Sequence, residues 1–331
     1  MIKDGLPILA LTMGDPAGVG PEVSLKALES SSALRNSTII FGSASVIAFY
    51  QDLLQTPSPL HVMASLDDFE QGSVNVINVL DLSFKDIAIG KVSPVAGDAA
   101  YRYIEKAISL AMTGKIGPIV TAPLNKEALH LGGHQYAGHT EILATLTGTK
   151  TYAMMLWSEI MSVVHVSTHC SLREACNRVK KARVLDCIHL GNAAMQQLGV
   201  AKPRLAVAGL NPHSGESGIF GREDRDEITP AVEAAQAEGL NVTGPVPPDI
   251  VFLKASQGKF DLVVAMYHDQ GHIPMKLLAF DSAVNVTLGL PIIRTSVDHG
   301  TAFDIAGRGI AREESMLWAL KIANRLAEHR S

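Results

Sequence analysis

Three histidines each follow a short apolar run. His169 follows "SVVHVST", His213 follows "LAVAGLNP" and His268 follows "LVVAMY". If these runs are parallel strands, the three imidazoles lie at strand carboxyl ends, where open α/β sheets form their ligand crevices. Imidazole is a common ligand of divalent metals, and three of them leave coordination positions open for a substrate. The pattern therefore favours a metal site over three separate hydrogen-bonding histidines.

A fourth histidine, His272, comes four residues after His268. Gly271 and Pro274 are expected to interrupt a helix in this stretch. We therefore do not expect His268 and His272 to form a helical ligand pair like that of the zincins. His272 receives no role from the sequence.

A second set of polar residues could bind an anion. The set comprises His139 and Thr140 in "AGHTE", followed by Lys276, Asn285 and Arg294. Thr140 is expected near a helix start, where a hydroxyl and backbone N–H groups can share a phosphate. Lysine and arginine would supply local positive charge in a chain whose net charge is -5. Taken alone, either cation could equally be a scattered surface charge.

Two glycine-containing stretches could approach a ligand closely. "GDPAGVGPE" matches neither a dinucleotide fingerprint nor a Walker loop, and Glu22 would repel an anion at the helix start. We therefore interpret it as a tight structural connection. "SVDHGTAFDIAGRG" is a candidate cofactor loop: Gly300 permits close backbone approach, and Asp304 could accept a hydrogen bond from a ribose hydroxyl.

These residues need a scaffold, and the alternation of short apolar runs with amphipathic segments predicts βα units with largely parallel sheets. The predicted strands are Pro7–Met13, Thr38–Gly42, Gly117–Thr121, Tyr152–Leu156, Val163–Val166, Leu205–Leu210, Leu262–Met266, Val284–Leu288 and Ile292–Ser296. The predicted helices are Pro21–Glu29, Ala99–Met112, Thr140–Leu146, Ala182–Leu198, Asp226–Ala237 and Ser315–Ala327.

Composition limits the class of protein. A chain of 331 residues, 47% apolar and 18% charged, indicates about two domains with large cores. The net charge of -5 argues against a nucleic-acid partner. No apolar stretch reaches the roughly 18 residues of a membrane span, and no signal peptide is recognised, so we expect a cytoplasmic protein. Cys170, Cys176 and Cys187 are interpreted as free, buried thiols.

The chain resembles the family of 4-hydroxythreonine-4-phosphate dehydrogenase over nearly its whole length. The resemblance is carried by "GDPAGVGPE", "TAPLNKEAL", "GHTE", "HVSTHCSLRE", "GLNPHSGESG", "GPVPPD", "MYHDQGHIPMK" and "VNVTLGLPIIRTSVDHGTAFDIAG". More distantly, "GDPAGVGPE" and "DHGTAFDIAG" are similar to loops of isopropylmalate and isocitrate dehydrogenases. This similarity implies a two-domain α/β fold with helices on both sheet faces and the active site in the interdomain cleft. We expect residues 1–130 plus 290–331 to form one domain, and residues 131–289 to form the domain with the metal histidines and dimer contacts.

The resemblance also implies roles for single residues. The family's metal ligands fall on His169, His213 and His268, in a site shared between the partners of a homodimer. Its substrate ligands fall on His139, Thr140, Lys276, Asn285 and Arg294. The isopropylmalate dehydrogenase likeness implies that a nicotinamide cofactor contacts His299, Gly300, Thr301 and Asp304. Lys276 and Asp249 are our candidate catalytic residues, and the general base stays open among Lys126, Asp249 and Asp269.

The implied reaction is the oxidation by NAD, or NADP, of a 4-phosphorylated 3-hydroxy acid, followed by loss of carbon dioxide. In pyridoxal phosphate biosynthesis that acid is 4-phosphohydroxy-L-threonine. The "TAPLNKEALHLGGHQYAGHTEILATLTGT" stretch resembles more closely the branch that acts on D-threonate or D-erythronate 4-phosphate in sugar-acid catabolism. A third relative acts on an aromatic cis-diol without phosphate, which the Thr140, Lys276 and Arg294 set argues against.

The metal and the reaction class each leave alternatives. Nitrogen ligands favour Zn, Co, Ni or Mn, one per site, over Mg. A metallohydrolase would use the three histidines to activate water, and a phosphate acyltransferase of related fold would not need them.

Overall fold

The structure is a computed structural model that describes residues 2, 3, 6–83 and 86–329. The chain divides into two compact units. Unit 1 comprises Met1–Lys150 and Leu290–Glu328, and unit 2 comprises Thr151–Gly289 and His329–Ser331.

The strands of the described residues are short, as is usual for α/β proteins. They are β1 (Ile2–Lys3), β2 (Leu6–Pro7), β3 (Leu9–Thr12), β4 (Thr38–Gly42), β5 (Leu60–Val62), β6 (Val74–Asn78), β7 (Ile119–Thr121), β8 (Ala153–Trp157), β9 (Ser162–His165), β10 (Leu205–Ala208), β11 (Val242–Val246), β12 (Leu262–Ala265), β13 (Val284–Leu288) and β14 (Arg294–Ser296).

Helices separate most of these strands. They are α1 (Gly20–Glu29), α2 (Ser32–Arg35), α3 (Ala44–Leu54), α4 (Pro94–Met112), α5 (Lys126–Leu131), α6 (His139–Thr147), α7 (Leu172–Arg178), α8 (Lys181–Gln197), α9 (Thr229–Ala237), α10 (Pro248–Ser256), α11 (His268–Ala279) and α12 (Glu314–Glu328).

Unit 1 contains a parallel sheet in the order β14-β7-β3-β4-β6-β5. Strands β3, β4 and β7 are buried along their whole length. This burial explains why they read as continuous apolar runs rather than alternating ones. The apolar stripe of α4 that runs from Tyr103 to Ala111 is buried against this sheet, as its helical spacing predicts.

Unit 2 contains a sheet in the order β11-β10-β12-β9-β8-β13. The first four strands are parallel, whereas β8 runs antiparallel to both β9 and β13. Small and β-branched side chains from β9, β10 and β12 form its core together with Met275 of α11 and Val251 of α10. Neighbouring parallel strands end at the same edge, so the segments after β9, β10 and β12 are brought together there.

The predicted strands and helices are confirmed in position, with ends that differ by a few residues. The stretch predicted as Pro7–Met13 is divided into β2 and β3, and α4 begins earlier than predicted because Pro94 occupies its first turn. The chain first passes from unit 1 to unit 2 after Lys150, because α5 and α6 pack on α4 in unit 1.

The prediction that Gly271 and Pro274 interrupt a helix is wrong. Helix α11 runs from His268 to Ala279 with Pro274 inside it. Its inner face is buried on β9, and a Cβ added at Gly271 would lie 2.7 Å from Val163 Cγ1. Close packing that only glycine permits therefore offsets the cost of the internal proline.

The prediction for the three cysteines is confirmed in part. All three are free thiols as predicted, but only Cys187 is buried, whereas Cys170 and Cys176 are half-buried. Across the described residues, we find no helix that combines the length and the apolarity required to cross a membrane.

Candidate metal and substrate site

The three predicted metal histidines follow three neighbouring parallel strands of unit 2. Strand β12 pairs with β9 on one side and with β10 on the other. His169 lies beyond the end of β9, His213 lies beyond the end of β10, and His268 begins α11 just after β12. The strand arrangement inferred from the sequence is therefore the one the fold adopts.

His169 and His268 lie together. Their ring centroids are 6.0 Å apart, and both line a cavity of about 310 Å³ with Tyr267 and Asp269. Two imidazoles that bind one Zn²⁺ through bonds of about 2.0–2.1 Å have centroids about 5 Å apart. The observed spacing is thus close to what a common ion requires.

His213 does not join that pair. It is exposed and begins a segment with left-handed backbone angles, with φ 52° at His213. Asp224 anchors the chain just before this segment by accepting from the backbone N–H groups of Leu210 and Asn211. Within the described residues, one chain contains no group of three His, Cys, Asp or Glu side chains placed to hold a metal ion. Two of the three predicted ligands are therefore brought together by a single chain.

Asp269 orients the imidazole of His268. The Nδ1–H of His268 donates to Asp269 Oδ1 at 2.7 Å. A carboxylate on one ring nitrogen fixes the tautomer and leaves the lone pair of the other nitrogen, Nε2, to a metal. The two imidazoles on this edge of the sheet are therefore suited to form part of a divalent-ion site. The hydrogen bond to His268 places Asp269 beside a ligand rather than free to act as a base.

His272 stacks on His268 within α11. The two rings are 3.6 Å apart with an interplanar angle of 11°, and His272 Nδ1 donates to the backbone carbonyl of His268 at 3.1 Å. The buried His165 of β9 lies near both rings, with its ring centroid 4.7 Å from that of His272 and 6.5 Å from that of His268. Burial lowers the pKa of His165 to about 3 and that of His272 to about 4. Both imidazoles are therefore neutral near pH 7.

In unit 1, Arg294 and His139 form the centre of the predicted anion site. Arg294 is 2% exposed and donates from a terminal guanidinium nitrogen to Thr121 Oγ1 at 2.7 Å. Burial lowers the pKa of Arg294 to about 9, an effect that the nearby Glu141 carboxylate opposes. Burial, with a smaller effect of the Arg294 charge, also lowers the pKa of His139 well below its ordinary value. The site therefore combines a buried guanidinium with a neutral imidazole.

Thr140 completes this group in unit 1. Helix α6 begins at His139, so Thr140 lies in its first turn, where backbone N–H groups are not used within the helix. His139 Nε2 is shielded from solvent and has no hydrogen-bond partner among the described residues. A donor set of hydroxyl, imidazole and guanidinium suits a phosphate or a carboxylate.

The remaining predicted substrate and catalytic residues, apart from Lys126, lie in unit 2. Asn285 is in β13, and its buried Oδ1 lacks a hydrogen-bond partner in the described part of the chain. Lys276 is exposed on α11, with Nζ 5.6 Å from the ring centroid of Phe280. Asp249 is exposed in the first turn of α10. Lys126, the other base candidate, is exposed at the start of α5 in unit 1.

The predicted cofactor loop packs on the "GDPAGVGPE" connection within unit 1. The backbone carbonyl of Thr301 accepts from the N–H of Val19, and a Cβ added at Gly18 would lie 2.9 Å from Thr301 Cβ. His299 and Asp304 are both exposed, and Gly300 has no described atom within 4 Å of an added Cβ. The loop therefore has a fixed base and an open face.

The "GDPAGVGPE" connection is itself held by buried carboxylates. Glu22 pairs with Lys26 at 2.9 Å and accepts from the N–H of Ala311 at 2.7 Å. Asp15 accepts from the N–H of Ala17. These bonds support the structural interpretation of this stretch.

Two residues at the site and one pocket away from it were not predicted from sequence. His165 stood inside the apolar run "SVVHVST", where a histidine between valines is a signal of a buried imidazole. Thr121 ends a strand, as the metal histidines follow theirs, and could have been found by the same argument. The 820 Å³ pocket lined by residues 63–67 and 77–79 with Lys106, Leu110 and Lys115 contains none of the predicted residues.

Comparison with known proteins places the chain in a family. The family described as "Pyridoxal phosphate biosynthetic protein PdxA" matches residues 34–323. The chain is 47% identical to the D-threonate 4-phosphate dehydrogenase of Cupriavidus necator, with 100% of both chains covered. A crystal structure named 4-hydroxythreonine-4-phosphate dehydrogenase, from Klebsiella pneumoniae, has a TM-score of 0.89 at 46% identity, covering 97% of this chain and 98% of that one.

A more distant likeness concerns the fold alone. A β-decarboxylating dehydrogenase from Thermococcus kodakarensis has a TM-score of 0.51 at 14% identity, with 98% of this chain and 83% of that one covered. The family resemblance and the fold class predicted from the motifs are both confirmed. The chain belongs to the PdxA family and is a dehydrogenase of that family.

Proposed function

We propose that this chain oxidises the 3-hydroxyl of a 4-phosphorylated four-carbon hydroxy acid with NAD or NADP, and that β-decarboxylation follows. D-threonate 4-phosphate is the proposed substrate. The observation that carries this choice is the 47% identity, over the full length of both chains, to a D-threonate 4-phosphate dehydrogenase. 4-Phosphohydroxy-L-threonine is the second candidate, favoured by the likeness to the Klebsiella pneumoniae structure.

The anionic groups of such a substrate match the residues of unit 1. The buried Arg294 guanidinium, with His139 and Thr140 beside it on α6, would bind a phosphate or carboxylate in a setting where bulk water does not compete. Lys276 and Asn285 of unit 2 are proposed to bind further substrate oxygens. Fixing both ends of the acid orients its 3-hydroxyl for reaction.

His169, His213 and His268 are proposed to hold one divalent metal ion, Zn, Co, Mn, Ni or Mg. Such an ion, when bound, polarises the hydroxyl and carboxylate oxygens of the substrate. The cavity that holds His169 and His268 and the Asp269 bond to His268 support the proposal. Because one chain brings only two of the three imidazoles together, the third is proposed to come from a partner subunit.

A homodimer has support in the surface of α11. Ile273, Leu277 and Phe280 follow a helical spacing and are 58%, 79% and 71% exposed. Large apolar side chains in a contiguous exposed row are characteristic of interaction surfaces. The same helix carries His268 at its start, so association along α11 would place the metal ligands beside the partner.

The hydroxyl proton is proposed to pass to Asp249 or Lys126, since Asp269 is engaged by His268. The nicotinamide cofactor would receive the hydride. His299, Gly300, Thr301 and Asp304 are proposed to contact its adenosine part, with the open face at Gly300 allowing close approach.

A substrate panel tests this assignment. NADH absorbance is followed with D-threonate 4-phosphate, D-erythronate 4-phosphate and 4-phosphohydroxy-L-threonine, with phosphate release measured in parallel. The proposal expects the highest kcat/KM with D-threonate 4-phosphate. A higher value with 4-phosphohydroxy-L-threonine would transfer the assignment to the second candidate, and phosphate release without NAD would favour a metallohydrolase.

A further inference from the structure

Four imidazoles of unit 2 form a cluster, and the proposed reaction does not use all of them. The ring centroids of His165 and His272 are 4.7 Å apart, those of His272 and His268 are 3.6 Å apart, and those of His268 and His169 are 6.0 Å apart. His169 and His268 are proposed metal ligands. His165 and His272 are buried, each at most 6% exposed.

The geometry excludes His272 as a ligand to the same ion as His268. A metal ion lies close to the plane of each imidazole that binds it, at about 2.0–2.1 Å from the nitrogen. The rings of His268 and His272 are nearly parallel, with an interplanar angle of 11° and 3.6 Å between centroids. A single ion cannot lie in both planes.

His272 is fixed in place from two directions. Its Nδ1–H donates to the His268 carbonyl at 3.1 Å, which ties the ring to the first turn of α11. Below it, His165 donates from Nδ1 to the Met154 carbonyl at 3.3 Å, and its Nε2 would lie 2.4 Å from a Cβ at Gly271. The imidazole of His272 is therefore a buried, rigid surface against one face of His268.

We propose that His272 is a positioning residue for His268: its ring packs against the His268 ring, while Asp269 holds Nδ1, so that Nε2 faces the metal in one orientation. The inference rests on the proposed function, because it takes His268 as a metal ligand. A residue that orients a metal-binding histidine does not touch the metal itself. Its loss typically weakens metal binding about 10- to 100-fold.

The test compares three substitutions in the metal-free full-length protein. His272→Ala removes the ring, His272→Asn keeps a donor for the His268 carbonyl without the ring, and His272→Phe keeps a ring without the donor. Zn²⁺ affinity is measured by competition with a chromophoric chelator. We expect His272→Ala and His272→Asn to weaken binding about tenfold or more and His272→Phe to stay within about threefold of the wild type.

His189→Ala is the matched control, because it removes an exposed imidazole of the same unit that pairs with Glu238. Its Zn²⁺ affinity should equal that of the wild type. A second readout needs no metal: ¹⁵N shifts of the histidine rings report whether His268 keeps its Nδ1–H tautomer. We expect that tautomer in the wild type and in His272→Phe, and a mixture in His272→Ala.

The outcomes separate the two proposals. Wild-type affinity and an unchanged His268 tautomer in His272→Ala, with Zn²⁺ binding lost in His268→Ala, would overturn the positioning role and leave the metal site intact. Equal weakening by Ala and Phe would also overturn it. If the wild type binds no Zn²⁺, or if His268→Ala binds it unchanged, the proposed metal site itself fails.

Discussion

Arg294 shows how burial shapes a single functional group. Its guanidinium is 2% exposed and donates to Thr121 within unit 1, and burial lowers its pKa to about 9. The sequence could offer it only as one of several cations, because burial depends on how β14 pairs with β7. Its residue type and its place in the strand order make it the strongest candidate to bind a substrate anion.

Replacement of Arg294 by alanine should weaken substrate binding. A hydrogen bond to a charged group contributes about 1.5–3 kcal/mol, so kcat/KM should fall roughly 10- to 150-fold. The loss should appear mainly in KM, which steady-state kinetics with D-threonate 4-phosphate would measure. Arg102→Ala, which removes an exposed ion pair with Asp98 in the same unit, is the control and should change little. A twofold effect or less for Arg294→Ala would remove this residue from the binding site.

Asp15 gives a pH dependence of stability with a defined sign. Burial raises the pKa of this carboxyl to about 6, although backbone N–H groups of Ala17 and Asn125 lower it. The folded chain therefore binds a proton between about pH 4 and 6 that the unfolded chain has lost, and stability contributed by this group falls as pH rises through that window.

The substitution Asp15→Asn should remove that dependence. Relative to the wild type, the variant should gain up to about 3 kcal/mol of unfolding free energy between pH 4 and pH 8, since each pKa unit corresponds to about 1.4 kcal/mol. Urea unfolding at pH 4.5, 6 and 8 measures the difference. A stability difference that stays constant across these pH values would contradict the assignment.

Helix α11 is the element on which most of the proposed chemistry depends. It carries His268, Asp269 and Lys276, and it is also the element that sequence reasoning missed. Gly271 and Pro274 are poor helix formers, and propensity alone argues against a helix there. The buried contacts of Met275 and Ala279 outweigh that propensity, and such long-range packing is not visible in a local sequence window. Strands β9, β10 and β12 were predictable because their apolar runs are continuous.

Gly271→Ala should disturb α11 because the added Cβ would lie 2.4 Å from His165 Nε2. Overpacking of this kind costs about 1–3 kcal/mol, which urea unfolding would detect. Gly300→Ala is the matched control, since no described atom lies within 4 Å of its added Cβ. If both variants unfold at the same urea concentration as the wild type, the close packing of α11 on β9 is incorrect.

At the scale of the whole molecule, the proposed function requires two chains to associate. The family resemblance implied a homodimer, and the exposed apolar row of α11 gives that expectation a surface. Two of the predicted metal ligands come together in one chain, whereas His213 does not join them. The proposed shared site, in which a second chain would supply the third ligand, would explain both observations. One sequence alone does not place such a ligand.

Leu277→Glu should therefore dissociate the protein. A charge at a side chain that is 79% exposed costs little in the single chain but would be buried without a partner in a dimer. Sedimentation equilibrium should show a dimer for the wild type and a monomer for the variant, with Zn²⁺ affinity lost together with association. Met112→Glu, 47% exposed at the end of α4, should remain dimeric. A wild type that is monomeric at micromolar concentration would contradict the shared site.

The proposed function requires the histidines after β9, β10 and β12 to serve a metal-dependent oxidation of a phosphorylated hydroxy acid. NADH formation from D-threonate 4-phosphate, measured before chelation, after chelation and after Zn²⁺, Co²⁺ or Mn²⁺ is restored, tests this requirement. We predict activity that chelation abolishes and a divalent metal restores, and no restoration in His268→Ala. Undiminished NADH formation by the metal-free wild type would contradict it.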